Sequence, residues 1–344
     1  MNELFKAAGH IRLHRGKIML IKAGGGTIAK PAAMRQFARQ VSVVHALGAR
    51  VIVVHGGGPQ TDTLQRLLGE EPQMIDGRRV TTSSAMRALR MATAGELNGE
   101  LVAALDAEGV PAVGVSGASA GLLVASRRPP MQTTIGQVDF GLVGDIRAVD
   151  PKPLMALLDK DLIPVVCPPA GDGQGGFLNV NADLAAASIA VALKAAKLVL
   201  MTGAPGVLTN PEDPQSLLSA LSLAELDALE EAGSLRGGMR VKAAAIRAAL
   251  YGGVGRVHVV SGVDGVALLQ ELYTNHGAGT LVTKEKELAP MQSDAEVSKE
   301  ALQAAAPPPL RPSVESRPVA RAASKAPGKQ RPAAATGATG RKRS

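Results

Sequence analysis

The chain has 344 residues, of which 46% are hydrophobic and 20% charged, enough to bury one sizeable core or two smaller ones. Only six aromatic residues occur, four Phe and two Tyr, which argues against an aromatic platform for single-stranded nucleic acid or carbohydrate. The single cysteine, Cys167, excludes a disulfide framework and a metal site with several thiolate ligands. No apolar run reaches about 18 residues, so we expect a soluble, cytoplasmic protein without a membrane span.

The net charge of +8 is concentrated in the last part of the chain. Residues 301–344 hold nine basic residues and one acidic residue, whereas residues 1–300 are balanced at 29 of each. A neutral body with a basic appendage is not typical of a nucleic-acid-binding domain. The segment 289–344 is rich in Ala, Pro, Lys and Arg, so we predict a disordered tail, either solvated or in contact with an acidic partner.

Short β-rich runs alternate with Ala- and Leu-rich helical stretches along the rest of the chain. The predicted strands, in order, are KIMLIK (17–22), RVIVVH (50–55), AVGVSG (112–117), IPVVCPP (163–169), KLVLMTG (197–203) and RVHVVSG (256–262). Apolar strands separated by helices are typical of a mainly parallel sheet covered on both faces. The predicted fold is therefore α/β, a three-layer αβα sandwich with an open, mainly parallel central sheet.

Two of the predicted strands end directly in a triple glycine, Gly24–Gly26 after the first and Gly56–Gly58 after the second. Glycine lets the backbone approach a ligand, and a helix that follows presents unpaired N–H groups to an anion. A tight turn alone explains one such run, but two of them, with Lys22 at a strand end, favour a phosphate or carboxylate site. No P-loop sequence is present, and the G-x-G-x-x-G match at 171–176 leads into FLNVNAD, so we predict a hairpin turn there.

Five further positions carry charged or amide side chains at places where a ligand could be bound. Arg79, beside the turn at 76–77, could grip a carboxylate or form a surface salt bridge. Asn179 and Asn181 point the same way if their segment is extended, and Asp183 stands where a helix cap or a first-turn acid belongs. Lys242 lies in the first turns of a helix that GGMRVK opens, where a lone lysine is usually solvated.

Taken in series, nine stretches between about residues 16 and 283 resemble the amino acid kinase family. They are IKAGGG, VIVVHGGGPQ, DGRRVT, VDFGLVGDI, IPVV, LNVNAD, PGVL, GGMRVK and ELYTNHGAGT. The resemblance implies one kinase domain over 1–288, with an acyl-amino-acid lobe at about 16–190 and a nucleotide lobe at about 191–288. It implies phosphoryl transfer from ATP to the γ-carboxylate of N-acetylglutamate, an early step in arginine synthesis.

The same resemblance implies roles for individual residues. Lys22 and Lys242 would stabilise the transferring phosphoryl group, with Asp183 holding both lysines in place. The implied acceptor-binding residues are Gly57, Gly58, Arg79, Asn179 and Asn181. The implied nucleotide-binding residues are Gly24, Gly25, Thr202, Pro205, Gly206, Gly238 and Met239. Mg²⁺ would accompany ATP on its phosphates, with no metal ligand from the protein.

Regulation and assembly follow from the resemblance as well. Members of the family that arginine inhibits carry an initial helix, here 2–14, and a segment like Glu271–Thr280. Glu271, with Gly277 and Gly279, would bind arginine as an effector. We expect a homo-oligomer, either a dimer or a hexamer that the initial helix links.

The chain departs from the family pattern at three places: Gly203 replaces a common Asp, Ala118-Ser119 replaces a Lys-Asp pair, and the first loop reads GGGT. Two alternatives therefore stay open. One is a related kinase acting on an aminoadipate or glutamate attached to an acidic carrier protein. The other is a catalytically silent, arginine-sensing subunit.

Overall fold

The computed structural model describes residues 2–285, with side chains from Lys6 onward, and the tail predicted at 289–344 lies outside this range. The helices are α1 (Asn2–His14), α2 (Pro31–Ala46), α3 (Gly58–Leu67), α4 (Ser83–Arg90), α5 (Asn98–Ala107), α6 (Lys152–Leu158), α7 (Ala182–Ala192), α8 (Leu223–Glu231), α9 (Gly238–Tyr251) and α10 (Ala267–Tyr273). A π-helical stretch, Met91–Leu97, joins α4 to α5. Within this range, no helix is long and apolar enough to cross a membrane.

The strands are mostly short outside the central sheet. They are β1 (Ile18–Ala23), β2 (Arg50–His55), β3 (Met74–Ile75), β4 (Arg78–Arg79), β5 (Ala112–Ser116), β6 (Leu123–Arg127), β7 (Met131–Thr133), β8 (Gly136–Val138), β9 (Gly144–Val149), β10 (Ile163–Cys167), β11 (Pro169–Gly171), β12 (Phe177–Asn179), β13 (Lys197–Thr202), β14 (Val207–Leu208), β15 (Leu217–Leu218), β16 (Ala220–Ser222), β17 (Arg256–Ser261) and β18 (Thr280–Thr283).

The central sheet has eight strands in the order β16-β18-β17-β13-β1-β2-β10-β5. The six strands from β17 to β5 in this order run parallel to one another, whereas β18 runs antiparallel to β17. The predicted α/β fold with a mainly parallel sheet is confirmed. The chain places β2, β5 and β10 on one side of β1 and then crosses to β13 on the other side. Ligands of open α/β sheets bind outside the carboxyl ends of the strands at such a reversal.

Two apolar cores lie on opposite faces of this sheet. Buried residues of α7 and α9 pack on one face, and buried residues of α2, α5 and α10 pack on the other. The amphipathic pattern of α2 illustrates the cause, since Met34, Phe37, Val41 and Val44 recur at helical spacing and are all buried. Helices therefore cover both faces, which gives the three layers.

The alternation of side chains along β1 decides where its lysine points. Met19 and Ile21 belong to the core under α2, whereas Leu20 belongs to the core under α7. Because successive strand residues face opposite sides, Lys22 shares the α7 face with Leu20. The Lys22 side chain therefore lies at the carboxyl edge of the sheet, on the face where α7 begins.

Smaller sheets stand beside the main one. A four-stranded sheet has the order β12-β11-β6-β9, and β3–β4 and β7–β8 form two separate hairpins. β11 and β12 are antiparallel, which confirms the hairpin predicted at 171–176. Asp172 closes its turn by accepting hydrogen bonds from the amides of Gln174 and Gly176.

Candidate functional site

Three charged side chains meet beyond the end of β1. Lys22 Nζ lies 2.8 Å from one carboxylate oxygen of Asp183, and Lys242 Nζ lies 3.3 Å from the other. The exposed fractions of these side chains are 7% for Lys22, 6% for Asp183 and 13% for Lys242. The structure therefore brings together the three residues that the resemblance implied as catalytic, although Lys242 is 59 positions from Asp183 in sequence.

Helix α7 sets the position of the shared anion. Asn181 is its N-cap, and the Asn181 side chain accepts hydrogen bonds from the amides of Asp183 and Leu184 at 2.8 and 3.1 Å. The sequence allowed Asp183 to be either the helix cap or an acid in the first turn, and in the structure it lies in the first turn, after the cap Asn181. Its carboxylate is thus free to face the lysines rather than the helix end.

Burial and mutual charge compete in this cluster. Burial lowers the pKa of Lys22, the charge of Lys242 adds to that effect, and Asp183 opposes it. Burial alone would raise the pKa of Asp183, but the charges of Lys22 and Lys242 outweigh it and the pKa lies below its usual value. The Asp183 carboxylate thus bridges the two lysine side chains at the edge of the cleft, beyond the carboxyl end of β1.

The two triple-glycine loops lie against each other at this edge. A Cβ on Gly25 would come within 3.1 Å of Pro59 Cδ, and a Cβ on Gly24 within 3.0 Å of the Met201 carbonyl oxygen. At Gly57 a Cβ would meet the Thr93 and Leu97 side chains at 2.7 and 2.8 Å, so a side chain is excluded there. A Cβ on Gly26 or Gly58 would have no atom within 4 Å, so both loops have open space beside them.

Arg79 is held by α3 at the other end of the cleft. Its guanidinium donates to Gln65 Oε1 at 3.1 Å and to the Gly58 carbonyl at 3.3 Å, and it pairs with the Asp62 carboxylate. Only 10% of the Arg79 side chain is exposed. Sequence analysis missed Asp62 and Gln65, because their three-residue spacing shows only that they share a face of α3 and not that this face meets Arg79.

Arg79 lines a cavity of about 260 Å³ together with Asn179 and Asn181. The Asn179 side-chain amide donates to Thr81 Oγ1 at 3.0 Å. A second cavity of about 520 Å³ is lined by the β3–β4 turn, by β7 and by Gly238. Three of the five proposed acceptor residues thus share one cavity, Gly57 and Gly58 are not among its lining residues, and the start of α9 borders the next cavity.

Three of the proposed nucleotide residues, Thr202, Pro205 and Gly206, lie at or after the end of β13, on the side of β1 opposite β2. Thr202 ends β13, and its carbonyl accepts a hydrogen bond from the Gly262 amide at 2.6 Å. Pro205 and Gly206 follow on the same loop, and a Cβ on Gly206 would meet Thr280 Oγ1 at 2.5 Å, so packing explains that glycine.

Gly238 and Met239 open α9, and Gly238 lines the cavity of about 520 Å³ beside the β3–β4 turn. They follow Gly237, whose positive φ of 51° favours glycine.

The residues proposed for an effector also converge. Glu271 accepts from the amides of Ala278 and Gly279 at 2.8 and 2.9 Å and pairs with His258 Nδ1 at 2.7 Å. A Cβ on Gly277 would come within 2.8 Å of the same carboxylate. Glu271 Oε2 thus accepts two hydrogen bonds and Oε1 accepts one, so internal partners hold the carboxylate in place.

No group of three His, Cys, Asp or Glu side chains placed to hold a metal occurs in residues 2–285. The acid nearest the cleft, Asp183, has a lysine at each of its oxygens. These residues fit a cation that ATP brings with it and holds through phosphate oxygens and water.

Comparisons with known proteins identify relatives over most of the chain. The model of the amino acid kinase family matches residues 17–261. The acetylglutamate kinase of Myxococcus xanthus is 43% identical over 290 residues, 83% of this chain and 94% of that protein. The acetylglutamate kinase of Symbiobacterium thermophilum is 42% identical over 283 residues, 82% of this chain and 96% of that protein.

Among solved structures, N-acetylglutamate synthase from Neisseria gonorrhoeae, complexed with coenzyme A and N-acetyl-glutamate, has a TM-score of 0.72 and 30% identity over 83% of this chain. Its complex with coenzyme A and L-arginine has a TM-score of 0.69 and 28% identity, again over 83% of this chain. This chain spans only 63% and 65% of the synthase chains in those structures. From the family match and the identity to the two kinases, we conclude that the chain belongs to the amino acid kinase family.

Proposed function

We propose that this protein is an acetylglutamate kinase, which transfers the γ-phosphoryl group of ATP to the γ-carboxylate of N-acetyl-L-glutamate. The observation that carries the proposal is the Lys22–Asp183–Lys242 cluster at the carboxyl edge of the sheet, between the glycine loops and the Arg79 cavity. The printed names of relatives up to 43% identical over most of the chain support the choice of acceptor.

The reaction needs positioning and charge compensation rather than a general base. A carboxylate is already ionised near pH 7, so no proton has to be removed before it attacks phosphorus. The new bond joins a γ-carboxylate oxygen to phosphorus, the bond from phosphorus to the bridging oxygen breaks, and ADP leaves with that electron pair. Lys22 and Lys242 stabilise the negative charge that spreads over the transferring group.

Asp183 acts on the lysines rather than on the substrate. It lies between the two ammonium groups and reduces their mutual repulsion. Its hydrogen bonds also keep each ammonium on a fixed side of the gap. Charged groups that are held in fixed positions in this way stabilise a transition state efficiently.

The acceptor lobe at about 16–190 supplies the contacts that orient N-acetylglutamate. Arg79 pairs with the α-carboxylate, Asn179 and Asn181 hold the acetamido end, and the amides of Gly57 and Gly58 donate to the γ-carboxylate. The planar guanidinium fork matches a carboxylate in two places, which restricts rotation of the acceptor. Substrate α-carboxylate competes with Asp62 for the same guanidinium.

The nucleotide lobe at about 191–288 holds ATP through the loop after β13 and the start of α9, near Gly24 and Gly25. Mg²⁺ would be held by ATP rather than by residues of the chain, and it would offset part of the phosphate charge. The residues of the chain contribute loop amides and the two lysines.

A coupled assay of ADP release tests the proposal. Mg-ATP is supplied with N-acetyl-L-glutamate, with free L-glutamate, with an aminoadipate or glutamate joined to an acidic carrier protein, or with no acceptor. Fast release only with N-acetyl-L-glutamate is expected. Preference for the carrier-linked substrate would identify the related kinase. If no ADP is released with any of these acceptors, the protein is the silent subunit.

We also propose L-arginine as an effector at Glu271, Gly277 and Gly279. Two observations favour it: a structural relative binds L-arginine, and His10 on α1 contacts Asn275 Oδ1 at 2.8 Å in the same segment. An added arginine series in the assay tests it, and mass measurement in solution with and without arginine tests the dimer against the hexamer. Activity that is indifferent to arginine up to millimolar concentration would remove this proposal.

A further inference from the structure

His55 is a fully buried side chain that the mechanism above does not use. It is the last residue of β2 and directly precedes the second glycine loop. Its Nδ1 lies 2.9 Å from the Gly56 carbonyl oxygen, and its Nε2 lies 3.2 Å from the Asn98 side-chain nitrogen. Burial, with a smaller effect from the Lys22 charge, lowers the pKa of His55 to about 4, so the ring is neutral near pH 7.

Asn98 decides which ring nitrogen carries the proton. The Asn98 amide nitrogen donates to the Val165 carbonyl at 2.9 Å, which places NH₂ rather than oxygen on this side. Its second N–H faces His55 Nε2, so Nε2 accepts. The proton must then sit on Nδ1, where it is donated to the Gly56 carbonyl. The strand β5 leaves room for this amide only because residue 114 is glycine, since a Cβ there would lie 2.0 Å from Asn98 Oδ1.

A trans peptide unit points its C=O and its N–H in opposite directions. With the Gly56 carbonyl held by His55, the N–H of Gly57 points away from the histidine. The Gly57 carbonyl is held in turn by the Thr61 amide at 2.9 Å and the Thr61 hydroxyl at 2.7 Å. The carbonyls of Gly56 and Gly57 are therefore both anchored. Among residues 2–285, no acceptor for the N–H of Gly57 or Gly58 is found.

We propose that His55, oriented by Asn98, is a positioning residue that aims the Gly57 N–H at the γ-carboxylate of the acceptor. The inference rests on the proposed function. A donor that is preset in this way needs no reorganisation when the carboxylate attacks. Thr61 does the same for Gly58, so the loop presents two adjacent amides from a rigid backbone.

Two substitutions at His55 separate positioning from simple packing. His55→Leu keeps the bulk and loses the donor, whereas His55→Asn keeps an N–H on the atom that follows Cγ, where Nδ1 stands. We expect His55→Leu to lower kcat/KM for N-acetyl-L-glutamate by about 10- to 100-fold, with KM for ATP nearly unchanged. We expect His55→Asn to recover most of the loss, and His45→Leu, on α2, to behave as wild type.

Measurements on the wild type keep the proposal testable if the variants fold poorly. Nitrogen NMR of labelled histidine should show the neutral Nδ1–H tautomer for His55. The Gly57 amide should shift when N-acetyl-L-glutamate alone is added. The Nε2–H tautomer, an unmoved Gly57 amide, or equal loss in both His55 variants would each overturn the inference. Absence of ADP release from the wild type would instead overturn the proposed function, and the tautomer would still report on His55.

Discussion

The two ends of the cleft are built in different ways. At the phosphoryl end, Lys22, Asp183 and Lys242 extend from β1, α7 and α9, which are long elements of the central layers. At the acceptor end, Arg79 lies on a two-residue strand, and the neighbouring hairpin β7–β8 has three residues on each side. The charged residues that face the phosphoryl group thus stand on elements of the central layers, whereas Arg79 stands on a short strand beside them. Variants at the two ends should therefore fail in different kinetic constants.

The largest effects are expected at the phosphoryl end. Lys22→Met and Lys242→Met remove one ammonium each and should lower kcat by about 10²- to 10³-fold, with KM for N-acetyl-L-glutamate changed little. Steady-state kinetics of ADP release measures this, with Lys160→Met, an exposed lysine, as the control. A rise in KM with unchanged kcat would mean that the lysines bind the ground state only.

Asp183→Asn should affect both rate and stability. Without the anion, two buried ammonium groups face each other, so we expect a loss of about 3 kcal/mol in the free energy of unfolding and a kcat loss of about 10²-fold. The pKa of Asp183 is lowered in the folded protein, so its contribution is present above the unfolded pKa and fades as pH falls below about 4.

Urea denaturation at neutral and acid pH tests the Asp183 prediction. The gap between wild type and Asp183→Asn should narrow in acid, and Asp106→Asn, an exposed change on α5, should show no gap. A gap of constant size across this range would contradict an ionised Asp183 in the cluster.

Arg79→Ala should mainly weaken acceptor binding. We expect KM for N-acetyl-L-glutamate to rise by about 10- to 100-fold, because a bidentate contact is lost and Asp62 is left without its partner, while KM for ATP stays nearly constant. Initial rates at varied concentrations of each substrate measure the split, with the exposed Arg66→Ala as control. A defect confined to ATP would contradict the assignment of the acceptor lobe.

The smallest effect concerns a contact between the two hairpins. Asp76, in the β3–β4 turn, accepts from the Thr134 hydroxyl at 2.5 Å and from its amide at 3.0 Å. Thr134→Val should raise KM for the acceptor by about two- to fivefold without changing kcat, since a net hydrogen bond contributes about 1 kcal/mol. A change in kcat would mean that these hairpins also act on the phosphoryl end.

The sequence predicted the parallel sheet, both glycine loops and the hairpin at 171–176, because apolar runs, glycines and turns are local signals. Alternation along β1 could also place Lys22 on the α7 face. Lys242 could be connected with Asp183 only by resemblance, since that contact depends on how α7 packs on α9. Two sets of contacts were missed: those of Asp62 and Gln65 with Arg79, and the hydrogen bond from His55 to the Gly56 carbonyl. A helix or strand pattern in the sequence does not show which residues of other elements its side chains contact.

Binding of a planar phosphoryl mimic tests the central claim most directly. Calorimetry would compare ADP affinity with and without aluminium fluoride, in the presence of Mg²⁺ and N-acetyl-L-glutamate, for wild type, Lys22→Met and Lys242→Met. The account predicts that the mimic tightens ADP binding at least tenfold in the wild type and hardly at all in either variant. Equal tightening in all three proteins would show that these ammonium groups do not stabilise the transferring group.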